Sequence, residues 1–279
     1  MKLCVINDEF LELEEFALGV PKYFDRIEEI IQDDRNVIKK VTIPQGTFVI
    51  KNFKGMYFFN RLAYSIFRKS KAERSYLYAH LLRAKSVLTP TPIAWIDCYR
   101  WGLLTHSYFI SMYYPYKTLS EVFKELDLND HDAKKTLYNR VASFALTLHR
   151  LDIYHDDFSL GNILVIDNPD YFSFALVDLN RVMFRKVSYR NGLQNFAKLG
   201  LPKEDLNMLI REYAILSGQP IEKSIDTFWA ARKRSEFFRS IRKNIRRYTL
   251  TPLEKIMLVC FVTANNFFTY NAGLLCDLQ

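Results

Sequence analysis

Glycine and cysteine are both scarce in this chain of 279 residues, which has nine of the first and four of the second. Cys4, Cys98, Cys260 and Cys276 are scattered, with neither the spacing of a metal site nor the density of a disulfide-stapled domain, which suits reduced thiols in a cytosol. No zinc site is readable. Long apolar runs are missing too: the longest, residues 256–264, is too short to span a bilayer. Residues 1–6 run into Asn7 and a series of acids before a signal-peptide core could form. A soluble or membrane-peripheral protein is expected, located in the cytoplasm.

What is present is enough for one or two full cores, with hydrophobic residues at 49% and charged residues at 25%, and this excludes a disordered chain. The net charge is +8, and much of the excess is concentrated in one stretch. Arg232, Lys233, Arg234, Arg239, Arg242, Lys243, Arg246 and Arg247 crowd it, opposed by Glu236. Phe237, Phe238, Ile241, Ile245 and Tyr248 keep helical spacing within it, so a basic amphipathic helix is expected. Such a face attracts anions, an anionic membrane surface among them. A plain solvated helix face gives the same pattern, and both readings stay open. Nucleic acid is not an expected partner, because no base-reading motif accompanies the charge.

The chemistry is concentrated in His155-Asp156-Asp157-Phe158-Ser159-Leu160-Gly161-Asn162 and in Val177-Asp178-Leu179-Asn180. An Asp, an Asn five residues later and a second Asp across a short hairpin are what a phosphotransferase needs to hold a hydroxyl, Mg²⁺ and ATP in line. Asp157 can take the proton of the attacking hydroxyl, while Asn162 and Asp178 offer the hard oxygen ligands that Mg²⁺ requires. Residues 163–166 read as a strand, 167–170 as a turn and 172–177 as the return strand, which brings Asn162 and Asp178 to one edge of a hairpin. Leu137, Val141, Phe144, Ala145 and Leu148 recur at helical spacing, so residues 131–150 form the amphipathic helix that delivers the chain into this loop. His149 reads as a cation favoured by the dipole at that helix end. His155 reads as a residue that packs and positions the loop.

Residues 46–51 read as a strand ending in Lys51, similar to the lysine strand of kinases, in which the ammonium pairs with the α and β phosphates and is held by a helix glutamate. Between Lys51 and Asp97 the one acid is Glu73, at the start of an apparent helix over residues 72–83, and elimination makes it the partner of Lys51. No Gly-x-Gly-x-x-Gly precedes Lys51, so the phosphate-covering loop is expected to be a plain hairpin turning near Pro44 to Gly46. Asp156 replaces the arginine by which regulated protein kinases sense an activation-loop phosphate, and no Ala-Pro-Glu segment follows Asp178. A small or lipid-linked acceptor fits better than a peptide. Arg181 could touch phosphate or pair with Asp156.

The chain resembles the lipopolysaccharide core kinases, the group that includes the Kdo and heptose kinases, within the protein-kinase-like superfamily. The resemblance runs through Arg35-Asn36-Val37-Ile38-Lys39, Val49-Ile50-Lys51, Phe67 to Tyr76, Thr89-Pro90-Thr91-Pro92-Ile93-Ala94, Ser107 to Ser111, the Asp157 loop and Val177-Asp178-Leu179-Asn180-Arg181. Leu160 stands where the group usually has proline. The resemblance implies phosphorylation of an inner-core sugar hydroxyl with ATP and Mg²⁺, on a Kdo-lipid A type glycolipid at the cytosolic face of the inner membrane. It implies an α+β, two-lobed fold: a sheet-rich lobe over residues 1–111 and a mainly helical lobe over 112–279. Ser111, Met112, Tyr113 and Tyr114 would form the hinge whose backbone meets adenine. Two rival classes remain: a catalytically silent kinase-like scaffold, supported by the absent Gly-rich loop, and a soluble phosphotransferase of the aminoglycoside or choline kinase type. The four retained residues Lys51, Asp157, Asn162 and Asp178 argue against the first, and the basic balance argues against the second, whose acceptors are cationic.

Overall fold

The computed structural model describes residues 2–34, 36–53, 69–125, 131–168 and 171–247. Arg35, Phe67, Arg68, Tyr248, Cys260, Cys276, the apolar run 256–264 and the centre of the expected turn at 169–170 lie outside the described residues, as do the side chains of Arg239, Arg242, Lys243, Arg246 and Arg247. The chain divides into two compact units, Met1–Ile225 and Asp226–Gln279.

In the first unit, β1 (Lys2–Ile6), β2 (Ile30–Asp33), β3 (Val37–Ile43), β4 (Gly46–Asn52), β5 (Pro92–Arg100) and β6 (Leu103–Met112) form one antiparallel sheet in the order β1-β5-β6-β4-β3-β2. Side chains of a strand alternate between faces. In β4, Phe48, Ile50 and Asn52 are buried on one side, which sends Thr47, Val49 and Lys51 to the other. Helix α1 (Glu14–Tyr23) covers the first side: Leu13, Ala17, Val20 and Phe24 pack with Val37, Phe48, Ile50, Ile96 and Ile110. Each large side chain buried there contributes about 1.5–3 kcal/mol. The buried Lys39 ammonium donates to the carbonyls of Phe24, Asp25 and Ile27, which neutralises the C-terminal end of this helical segment.

Helix α2 (Lys71–Ala84) lies on the other side, its Ala72 and Tyr76 against Phe53 and Trp95. It begins at Ser70, whose Oγ accepts the Glu73 N–H at 2.9 Å, and Ser70-x-x-Glu73 is the spacing of a capping box. Asp97 of β5 is buried, and burial pushes its carboxyl up to about 6.

Beyond Met112 the chain is mainly helical: α3 (Leu119–Glu125), α4 (His131–Arg150), α5 (Tyr189–Asn195), α6 (Lys203–Leu216) and α7 (Ile221–Arg247). Helix α4 has the bounds its periodicity predicts and packs on α6, with Asn139 Nδ2 donating to Glu212 Oε2 at 2.7 Å. Two short ribbons hold the loops below the sheet: β7 (Ile153–His155) pairs with β10 (Val182–Phe184), and β8 (Ile163–Asn168) with β9 (Tyr171–Leu176). The sheet-rich beginning and helical remainder make the fold the α+β class expected. In the second unit, the described part is the continuation of α7, where Arg232 pairs with Glu236 at 3.0 Å and Lys233, Arg234 and Phe237 are exposed.

Candidate active site

A cleft of about 660 Å³ opens below the sheet. Ile38, Lys40, Val49 and Lys51 line its sheet wall, and Asp157, Ser159, Gly161, Asn162 and Asp178 line the wall opposite. Ser111, Met112, Tyr113 and Tyr114 also line it, as a hinge would. The N–H groups of Met112 and Tyr113 are already donated, to Thr91 O and Thr47 O at 2.9 Å each.

The Asp157 loop is held by a chain of hydrogen bonds in which every proton can be assigned. The Asp157 backbone N–H donates to His155 Nδ1 at 3.1 Å, so the His155 proton sits on Nε2 and points to Val177 O at 3.3 Å. Asn195 Nδ2 donates to His155 O at 2.8 Å, so its Oδ1 accepts from His149 Nε2 at 3.1 Å. His149 Nδ1 is then left to accept the Tyr213 hydroxyl at 2.9 Å. Burial holds both imidazoles neutral, with His149 lowered to about 4 and His155 also lowered. This corrects the expectation of a cationic His149: desolvation at that depth outweighs a helix dipole, whose usual contribution is about 0.3–1 kcal/mol. His155 takes the positioning role expected of it.

Asn162 Nδ2 donates to Asp157 O at 2.8 Å, which leaves the amide oxygen as the end free to serve as a ligand. Val177 N–H donates to Asn162 O at 3.0 Å, so the hairpin brings Asn162 next to Asp178. Asp178 adopts a left-handed conformation, φ 56°, which Asp tolerates better than most residues. Its Oδ1 accepts from Lys51 and, at 2.5 Å, from Asn180 Nδ2. Burial alone would raise this carboxyl, but Lys51, with smaller contributions from His155 and Arg181, holds it below the usual carboxylate range. Among the described residues no cluster of three or more His, Cys, Asp or Glu could hold a metal ion. The Asn162 and Asp178 oxygens nevertheless fit Mg²⁺, which takes one or two protein ligands and completes its shell with phosphate oxygens and water.

Two further expectations are corrected. Lys51 bonds Asp178, whereas Glu73 lies 3.5 Å from Lys69. Elimination selected the one acid of the stretch without its helical phase: Ser75 is the α2 residue lining the cleft, and Glu73 lies about 200° from it around the helix. The hairpin over the cleft is also not the one near Pro44 to Gly46. Glu29, Ile31, Gln32 and Asn36 line the cleft, so the turn between β2 and β3 covers it. Arg181 Nε stands 3.7 Å from Asp157 Oδ2, while Asp156 N–H donates to Arg181 O at 3.0 Å, so the guanidinium faces Asp157 and not Asp156.

The model of the lipopolysaccharide kinase (Kdo/WaaP) family matches residues 49–213, a span that holds Lys51, Asp157, Asn162, Asp178 and the whole His149 network. The chain belongs to this family. It is therefore a lipopolysaccharide kinase, an enzyme that phosphorylates a sugar hydroxyl. A similar curated protein is the 3-deoxy-D-manno-octulosonic acid kinase of Vibrio vulnificus (strain YJ016), 24% identical over 171 residues, which cover 57% of this chain and 68% of that one. A similar solved structure is WaaP in complex with acyl carrier protein, with a TM-score of 0.57 at 18% identity, covering 84% of this chain and 97% of that one, a likeness of fold. The kinase family match leaves out the turn between β2 and β3 and the basic part of α7.

Proposed function

We propose that this kinase transfers the γ-phosphoryl group of ATP, with Mg²⁺, to a hydroxyl of a Kdo or heptose in the lipopolysaccharide inner core. The observation that carries the proposal is the convergence of Lys51 from β4, Asp157 and Asn162 from the loop between β7 and β8, and Asp178 from the segment after β9, on one cleft. Lys51 would bond the nucleotide phosphates, and adenine would meet the hinge carbonyls and the Tyr114 N–H, since the N–H groups of Met112 and Tyr113 are engaged in the sheet. The lobe boundary would fall at residues 111 and 112. Asn162 and Asp178 would hold Mg²⁺, which when bound neutralises charge developing on the phosphates. Asp157 accepts the proton of the acceptor hydroxyl as its oxygen bonds to phosphorus and the bond to the β–γ bridging oxygen breaks. Arg181 steadies that carboxylate. Glu73 keeps no part in this scheme beyond the start of α2. Incubation with ATP, Mg²⁺ and a panel of Kdo-lipid A acceptors should add one phosphate by mass spectrometry. ADP release with no acceptor modified across the panel would overturn the choice of acceptor.

Such an acceptor is embedded in a bilayer, at the cytosolic face of the inner membrane. Among the described residues no helix is long and apolar enough to cross a membrane. A peripheral approach through the basic stretch of α7 supplies the contact, each Lys or Arg near an anionic surface contributing about 1 kcal/mol. Replacing Arg239, Arg242, Arg246 and Arg247 with Gln should weaken binding to anionic vesicles and raise KM for the embedded acceptor, while leaving a water-soluble fragment of the same sugar unaffected. Unchanged vesicle binding would make the stretch a solvated face.

A further inference from the structure

We propose that Lys71, which the catalytic scheme above does not use, contacts the phosphoryl group in transit as a further cation beside Lys51. The inference rests on the kinase reading of the cleft and deepens it. Lys71 is the first residue of α2 and is half-buried. That position is unfavourable for a cation, because the N-terminal end of a helix already carries partial positive charge. Arg74 follows one turn later. No described carboxylate forms an ion pair with Lys71, and residues 54–68, which precede it, contain no Asp or Glu. Burial first, then Arg74 and Arg181, hold its ammonium below the ordinary lysine range, with Asp178 as the opposing influence. Among the described residues no ion pair offsets these effects, and an anion bound in the cleft would.

The geometry says where that anion sits. The Phe53 ring is buried and anchored by its backbone N–H on Ser107 O at 2.9 Å. Lys51 Nζ stands 5.3 Å from the centre of this ring and Lys71 Nζ 5.9 Å from it, so both ammonium groups gather around one fixed ring. With Ser75 as the α2 residue facing the cleft, the helix brings no carboxylate against Lys51. The cation set of Lys51, Lys71 and Arg181 therefore exceeds the Asp157 and Asp178 carboxylates, and it suits a transferring phosphoryl group whose charge spreads over three equatorial oxygens.

The test uses Lys71→Met and Lys71→Arg in the full chain. Lys71→Met should lower kcat about 10²-fold with KM for the acceptor held, and Lys71→Arg should recover most of the loss. The melting temperature of Lys71→Met without nucleotide should equal or exceed that of the parent, since an unfavourable charge is gone. The extra stabilisation given by ATP with Mg²⁺ over ADP with Mg²⁺ should shrink. Unchanged turnover overturns the proposal, as does a raised acceptor KM at unchanged kcat, which would make Lys71 a reader of an acidic group on the acceptor. Lost turnover with a lowered melting temperature would make it structural and also overturn it. The nucleotide comparison needs no acceptor, so it stands even if no lipopolysaccharide sugar is phosphorylated.

Discussion

Asp157 and Lys51 face the same cleft, yet the first is fixed by hydrogen bonds and the second by strand register and charge. On the helical wall, Tyr213, His149, Asn195 and His155 form a directed chain from α6 to the loop backbone. On the sheet wall, Lys51 extends from a strand whose alternate residues are locked in the core, and its described ionic partner is Asp178 on the wall opposite. A hydrogen-bonded loop fails through its supports, whereas a residue on a packed strand fails mainly through its own chemistry. The difference separates positioning from charge, and substitutions can pull the two apart.

The largest expected effect is at Asp157→Asn, which should cut kcat about 10³-fold with the melting temperature kept. The loop bonds use the Asp157 backbone N–H and C=O and leave its carboxylate for chemistry. Steady-state rates with the correct acceptor check this, and wild-type turnover would move suspicion to Asp156. Next comes Asn195→Ala, which leaves the His149 N–H and His155 C=O buried without partners and should cost about 3 kcal/mol of stability. Denaturant unfolding measures it. If kcat falls while stability holds, the helical wall is looser than the bonding pattern implies.

A smaller effect sets the walls against each other through pH. His149 titrates near 4 in the fold against an ordinary 6.5, so between these values the unfolded chain binds more protons and stability rises with pH. His155, also lowered, acts in the same direction. Asp97, raised to about 6 from 3.8, acts in the opposite direction, its contribution falling as pH rises over that range. The parent should therefore show a shallow profile between pH 4 and 6. Asp97→Asn should steepen it, stability gaining about 2 kcal/mol more across that window than in the parent. A parallel profile for the variant would show that Asp97 is ionised in the fold. The smallest effect is expected at Glu73→Gln, within about 0.5 kcal/mol in stability, since its partner Lys69 is exposed to solvent. Turnover should stay within twofold, and a loss of about tenfold or more would restore Glu73 as a partner of Lys51.

Local chemistry was legible in the sequence. The apolar period of α4, the alternation of β4 and the offsets from Asp157 to Asn162 and Asp178 each depend on near neighbours, and the structure forms those elements where they were expected. What escaped depends on distant ones. Which turn roofs the cleft follows from the pairing of β4 with β6, 62 residues apart in the register of Val49 with Ser111 and beyond the reach of local pattern. Neutral His149 follows from its burial by distant parts of the chain, with Asn195 and Tyr213, its hydrogen-bond partners, 46 and 64 residues away. Ser70-x-x-Glu73 is a readable signal that Glu73 belongs to the start of α2.

Gly192 of α5 lies against the buried pair His149 and Tyr213. A methyl group there would fall onto Tyr213 Oη and 2.8 Å from His149 Nδ1. Alanine at this position would push apart the two side chains that support the loop from behind, while Lys51, Asp157, Asn162 and Asp178 all remained in the sequence. A descendant of this enzyme could thus fall silent through one added carbon atom and still pass any inspection of its catalytic letters, so an intact signature is no guarantee of a working copy.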